Sequence, residues 1–202
     1  MSEKKKAHSI SRRKFLKNLG SGVVGTTVAI HGLQKIPLAQ KTGEEPPHSD
    51  REPLTLTVNG KRVTALVEPQ TSLADFLREQ MQLSGTKIVC NHGECGACTV
   101  LLNGEAVYSC HMLALDAANG SVLTIEGLLQ AEELHPVQKA FLDHDGYQCG
   151  FCTPGQIMAA QAILLKNPKP TREEIMTGMS GNLCRCAAYP KILESVMAAA
   201  EK

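Results

Sequence analysis

Eight cysteines gathered in two sets of four constrain this chain more than any other feature. Cys90, Cys95, Cys98 and Cys110 read C-x4-C-x2-C with a fourth further on, and Cys149, Cys152, Cys184 and Cys186 read C-x2-C-x31-C-x-C. Around them there is little but aliphatic material for a core, since Trp is absent and Tyr and Phe number 3 and 4 among 202 residues. So few aromatic rings exclude a base-stacking platform for single-stranded nucleic acid. The length suits one medium domain or two small ones. No apolar run reaches the roughly 18–20 residues of a membrane-spanning helix.

The formal net charge of +1 hides an asymmetry. Residues 1–17 carry seven basic side chains against Glu3 alone, while residues 51–202 carry twelve basic against sixteen acidic. The body is mildly acidic and has no basic stripe to displace counterions from DNA. The basic residues belong to a leader. Ser11-Arg12-Arg13-Lys14-Phe15-Leu16-Lys17 precedes a weakly apolar stretch, Leu19 to Leu33, diluted by Gly20, Gly22 and Gly25. A basic start followed by a short apolar stretch is export-signal architecture. The adjacent arginines make it resemble a twin-arginine signal, with periplasmic destination. Residues 1–39 are assigned to this segment and 40–52 to a polar linker with nothing to bury.

An oxidising compartment favours disulfides, and an even number of cysteines keeps four bridges in play. The first spacing argues otherwise, because it is that of a plant-type [2Fe–2S] centre. Four thiolates around such a group leave a dianion of roughly −2, which needs N–H donors wherever it is buried. Gly93 and Gly96 let a tight loop turn its amides inward, and Cys110 closes the set from a neighbouring hairpin. Bridges inside one short loop would stabilise little. Zinc usually shows two close knuckles, whereas here one appears per half. His92 and His111 flank a set that four cysteines already complete. For the second set zinc remains a competitor on spacing. A thioredoxin-like reading of Cys149-Gly150-Phe151-Cys152 lacks the surrounding βαβ pattern. Arg185 stands either to screen charge, to pair across an interface, or simply to be solvated.

The flanking pattern predicts an α+β architecture. A β-grasp-like domain over 53–128 is expected from hairpins at Asn59-Gly60 and Asn103-Gly104. It adds a helix capped by Thr71 or Ser72 and a strand over 122–125. A helical domain over 129–202 follows, with helices starting at His135-Pro136, at a Thr153-Pro154 cap, at a Thr171–Glu174 capping box and at Pro190. Four short helices with short links predict a compact bundle.

Taken together, the sequence resembles the iron–sulfur subunit of the xanthine oxidase, or molybdenum hydroxylase, family. The likeness is carried by Gly85-Thr86-Lys87 through Cys98-Thr99-Val100, Ser109-Cys110, Gln148-Cys149-Gly150-Phe151-Cys152-Thr153-Pro154-Gly155 and Gly181-Asn182-Leu183-Cys184-Arg185-Cys186 with Tyr189. It spans about residues 53–200 and includes all eight cysteines. The resemblance implies a plant-type ferredoxin-like β-grasp domain followed by a four-helix [2Fe–2S] domain. It implies two [2Fe–2S] clusters and a large partner subunit whose molybdenum–pterin oxidises aldehydes or N-heterocycles. Electrons would pass through the helical-domain cluster, then the plant-type one, to a FAD-binding subunit or, in some exported members, a cytochrome. Gln148 and Cys186 would lie against the pterin. The twin-arginine leader makes the exported aldehyde oxidoreductases the nearest likeness. No nucleotide-binding glycine fingerprint, carboxylate pair or Ser/His constellation is present, so no catalytic residue is expected in this chain. The alternative is a free-standing ferredoxin-like carrier.

Overall fold

The computed structural model describes residues 50–129 and 133–201. The leader expected over 1–39, and the linker as far as residue 49, lie outside the described residues.

Strands β1 (Glu52–Val58) and β2 (Lys61–Val67) form an antiparallel hairpin in which Leu56 faces Val63. Its turn puts Asn59 at φ 50° and Gly60 at φ 78°. β3 (Thr99–Leu102) and β4 (Glu105–Tyr108) repeat the device at Asn103-Gly104, with φ 52° and 87°. Two successive positive φ values match the right-handed twist of the strands, which is why Asn-Gly serves at both sites. β5 (Ser121–Leu123) runs parallel to β1 and antiparallel to β3, giving the order β2-β1-β5-β3-β4. Leu54, Leu56 and Val58 alternate into a core with Val67, Val100 and Val122. Phe76 and Leu77 close that core from the other side.

Of the two expected caps, Ser72 is the one that serves α1 (Leu73–Asp75), accepting the Asp75 N–H. Two details depart from expectation. The helix then widens into a π-turn over Phe76–Gln80, where the Met81 N–H reaches the Phe76 carbonyl. The wider turn keeps both Phe76 and Leu77 fully buried. The last strand stops at Leu123, and Ile125–Leu128 coils into a 3-10 turn. Thr124 ends the strand because its N–H goes to Asn59 Oδ1 and its hydroxyl to Glu126, leaving the ladder.

The helices are α2 (Pro136–Asp143), α3 (Thr153–Lys166), α4 (Arg172–Met179) and α5 (Tyr189–Ala200). Thr171 and Glu174 make the expected capping box. α2 uses His135 the same way: its Nδ1 accepts from Val137 while Gln138 reaches back to the His135 N–H. The cap expected at Thr153 is not formed. The cysteine loop runs straight into α3 with Cys152 at the capping position, so Thr153 is already helical and its hydroxyl is unpartnered. Phe141, Met158, Ile175, Ile192 and Val196 fill the helical core. Burying each such side chain contributes about 1.5–3 kcal/mol.

β3 joins the two halves. Val100 points into the sheet's own core, and Leu101, its neighbour, points into the helical core. The period of a strand thus serves two cores at once. No helix among the described residues is long and apolar enough to cross a membrane.

Candidate metal centres

The first cysteine loop is held from both sides as it leaves the π-turn. Arg78 donates to the carbonyls of Ser84 (3.0 Å) and Thr86 (2.7 Å), and Glu126 accepts the Gly85 N–H at 2.7 Å. From there the chain wraps without regular structure to β3, with Asn91, Gly93 and Gly96 at φ 55°, 75° and 70°. The wrap aims amides at sulfur: His92 N–H at Cys90 Sγ and Cys110 N–H at Cys98 Sγ, each at 3.4 Å. Cys110 sits in a 3-10 turn (Ser109–His111) that Ser109 ties to the Cys98 carbonyl at 2.7 Å. Cys98 is buried, the other three partly so, and His92 and His111 lie exposed beside them.

In the second set, Cys149 and Cys152 lie in the loop that leads into α3, with Cys152 at its capping position, while Cys184 and Cys186 lie between α4 and α5. Gly150 has φ 81° and Ala187 φ 58°. The Tyr189 hydroxyl accepts the Cys184 N–H at 2.9 Å. Cys184 is buried and Cys149 exposed. Gln148 is exposed next to it.

None of the eight cysteines is joined in a disulfide, and the described residues contain no group of three His, Cys, Asp or Glu side chains set for a single ion. Within each set the thiols act on one another's ionisation: Cys95 on Cys90, Cys98 and Cys90 on Cys110, Cys186 on Cys149, Cys184 and Cys149 on Cys152. The His92 N–H draws the Cys90 thiol down to about 6. Burial, reinforced by Cys98, pushes Cys110 up to about 11, and burial with Cys184 pushes Cys152 up to about 12. Thiols that hold one another protonated ionise together only around compensating positive charge. Four thiols acting on one another in each set, with amides aimed at sulfur in the first, fit a [2Fe–2S] group held by four thiolates.

The two loops touch. The Leu183 N–H donates to the Cys95 carbonyl at 2.9 Å, one residue before Cys184. Tyr108, Thr99, Gln156 and Asn182 stitch this contact, and sequence reasoning gave none of them a role. Their partners lie as many as 86 residues away, so no local pattern exposes them. The outer side of the second set is different. Gln148, Cys149 and Arg185 are exposed there. Tyr147, Phe151, Leu183 and Tyr189 are also exposed, by 39–53%. Apolar side chains grouped on a surface mark a contact site.

Residues 56–124 match the 2Fe-2S iron-sulfur cluster binding domain family, and residues 124–197 match the [2Fe-2S] binding domain family. The aldehyde oxidoreductase iron-sulfur-binding subunit PaoA of Escherichia coli K12 is 41% identical over 207 residues, covering 95% of this chain and 89% of that protein. The nicotine 6-hydroxylase small subunit of Paenarthrobacter nicotinovorans is 47% identical over 152 residues, covering 75% of this chain and 92% of that one. Quinoline 2-oxidoreductase from Pseudomonas putida 86 superposes with a TM-score of 0.73 at 46% identity, over 76% of this chain and 96% of that chain. In the aldehyde oxidoreductase from Desulfovibrio desulfuricans the likeness, at TM-score 0.71 and 44% identity, takes up 74% of this chain but 17% of a longer one.

Proposed function

The chain belongs to the iron–sulfur subunits of the molybdenum hydroxylases, and from that premise we propose a relay between two centres held by its own cysteines. Cys90, Cys95, Cys98 and Cys110 hold the first, in a ferredoxin-like domain ending near residue 128. Cys149, Cys152, Cys184 and Cys186 hold the second, in the helical domain. When bound, each [2Fe–2S] group takes up and releases one electron. The chain's part is to supply thiolates, aim N–H groups at sulfur and fix the spacing of the two sites. The observation that carries this reading is a pair of four-cysteine sets, the first with backbone N–H groups aimed at Cys90 and Cys98 sulfur, whose loops touch where the Leu183 N–H meets the Cys95 carbonyl.

The exposed face around Gln148 and Cys186 receives the large molybdenum–pterin subunit, with Gln148 and Cys186 nearest the pterin. What supports this is the apolar rim of Tyr147, Phe151, Leu183 and Tyr189, together with a relative in which the matching segment is one part of a longer chain. The aldehyde oxidoreductase subunit, similar along almost the whole chain, favours an aldehyde as substrate. Electrons leave from the first set to a flavin-bearing subunit or a cytochrome. Purification from the native source tests the assembly. The chain should elute with a larger polypeptide that carries molybdenum; a lone iron-bearing 202-residue species would favour the free carrier instead.

The leader places this enzyme in the periplasm. The twin-arginine route carries folded proteins, so the centres are assembled in the cytoplasm first, which reconciles thiolate ligands with an oxidising destination. Arg12→Lys with Arg13→Lys should shift almost all of the subunit, and its activity, from the periplasmic to the cytoplasmic fraction. An unchanged distribution on immunoblots of the two fractions would remove the leader from this account.

A further inference from the structure

We infer that the Asn182 side chain is a positioning residue: it fixes the separation of the two centres and so sets how fast an electron crosses between them. The inference rests on the relay reading above. Asn182 is 5% exposed, in the loop that leads to Cys184. Its Nδ2 donates to the Gly96 carbonyl at 2.8 Å and to Thr99 Oγ1 at 3.1 Å. Thr99 Oγ1 in turn donates to the same Gly96 carbonyl at 2.6 Å, closing a triangle of three bonds. Gly96 and Thr99 flank Cys98, so the amide holds the buried cysteine's stretch by the Gly96 backbone on one side and the Thr99 hydroxyl on the other.

The other end of Asn182 is held as firmly. Its carbonyl accepts from Gln156 Nε2 at 2.9 Å, and Gln156, in α3 four residues after Cys152, is 1% exposed. Its N–H goes to the Met179 carbonyl at 3.0 Å. On either side, Tyr108 Oη donates to the Gly181 carbonyl and Leu183 N–H to the Cys95 carbonyl, each at 2.9 Å. One residue is therefore bonded to the first cysteine loop through its side chain and to the second domain through its backbone. The approach leaves no slack, since a Cβ on Gly96 would stand 2.7 Å from the Asn182 amide. A buried amide whose Nδ2 bonds two residues of the other loop is more than packing needs: an apolar residue of the same shape would fill the space without orienting anything.

The test uses the native complex with Asn182→Leu, which keeps the bulk and removes both donors, and Thr99→Val, which keeps its shape and removes the shared hydroxyl. Iron and acid-labile sulfide are measured first, then the electron paramagnetic resonance of the fully reduced protein at low temperature. Two reduced centres split one another's signals by an interaction that falls with the cube of their separation. Asn182→Leu with full iron should show a diminished splitting and a slower inter-centre electron exchange after a reducing pulse, since both fall as the centres separate. Thr99→Val should move both readouts the same way by less. Fully loaded variants with wild-type splitting and exchange, whatever their melting temperature, would overturn the inference and leave Asn182 a packing residue. If Asn182→Leu fails to load iron, Thr99→Val decides alone by the same two readouts. A wild-type complex without two distinct iron signals would sink the relay reading itself, and this inference with it.

Discussion

Cys98→Ser is expected to halve the iron of the purified chain, from about four to about two atoms, and to erase one of two reduced signals while sparing the other. Cys98 is the buried member of its set, 2% exposed, with its sulfur accepting the Cys110 N–H and its carbonyl accepting Ser109. A hydroxyl at that position is a poor iron ligand and does not ionise near neutral pH. The surviving signal comes from the second set, whose four sulfurs lie on other loops. Iron analysis beside low-temperature resonance of the reduced variant checks this. Both signals intact would remove Cys98 from the ligands, and both lost would mean that the sets do not load independently.

The second large effect falls on a residue that binds nothing. Gly155, in the first turn of α3, lies directly against the first cysteine loop. A Cβ there would collide with the Gly96 carbonyl oxygen and stand 2.8 Å from the Ala97 carbonyl oxygen. Both are backbone atoms in a loop pinned by Arg78, Glu126 and Asn182, so neither moves aside cheaply. Gly155→Ala should therefore lower stability by about 3 kcal/mol or more, the upper range for overpacking. Gly178→Ala is the matched control. Its Cβ would meet Ile163 Cδ1 and Cγ1, at 2.6 and 2.7 Å, the outer atoms of one half-buried side chain and no backbone. The helix propensity of Ala, better by about 1 kcal/mol, offsets the repacking. Denaturant unfolding of the loaded chain should leave Gly178→Ala close to wild type and displace Gly155→Ala clearly. Equal midpoints for the two would contradict the close seating of α3 on the loop.

What the sequence reveals here is whatever the chain fixes locally. Asn59-Gly60 and Asn103-Gly104 announce their hairpins because both positions need positive φ, and Thr171 with Glu174 announces a helix start because its bonds span three residues. The cysteine spacings announce their chemistry because a metal group demands thiolates at short, particular intervals. Long-range competition hides the rest. Thr153 looks like a cap, but the loop that must present Cys152 takes that position. Ile125 looks like the end of a strand, but Asn59, far upstream, captures Thr124 and turns the chain away. Asn182 reads as an ordinary polar loop residue beside Gly181, and only the fold shows its amide buried against Gly96 and Thr99. Sites are legible where ligands are listed along the chain, and their spacing in space is legible only where distant loops meet.

The central claim is that this chain carries two iron pairs on eight cysteines. Chemical analysis of the purified, brown protein tests it most directly. The account predicts about four irons and four acid-labile sulfides per chain, with no zinc and no disulfide. A colourless chain from cells able to assemble such centres, holding zinc or four bridges in their place, would contradict it.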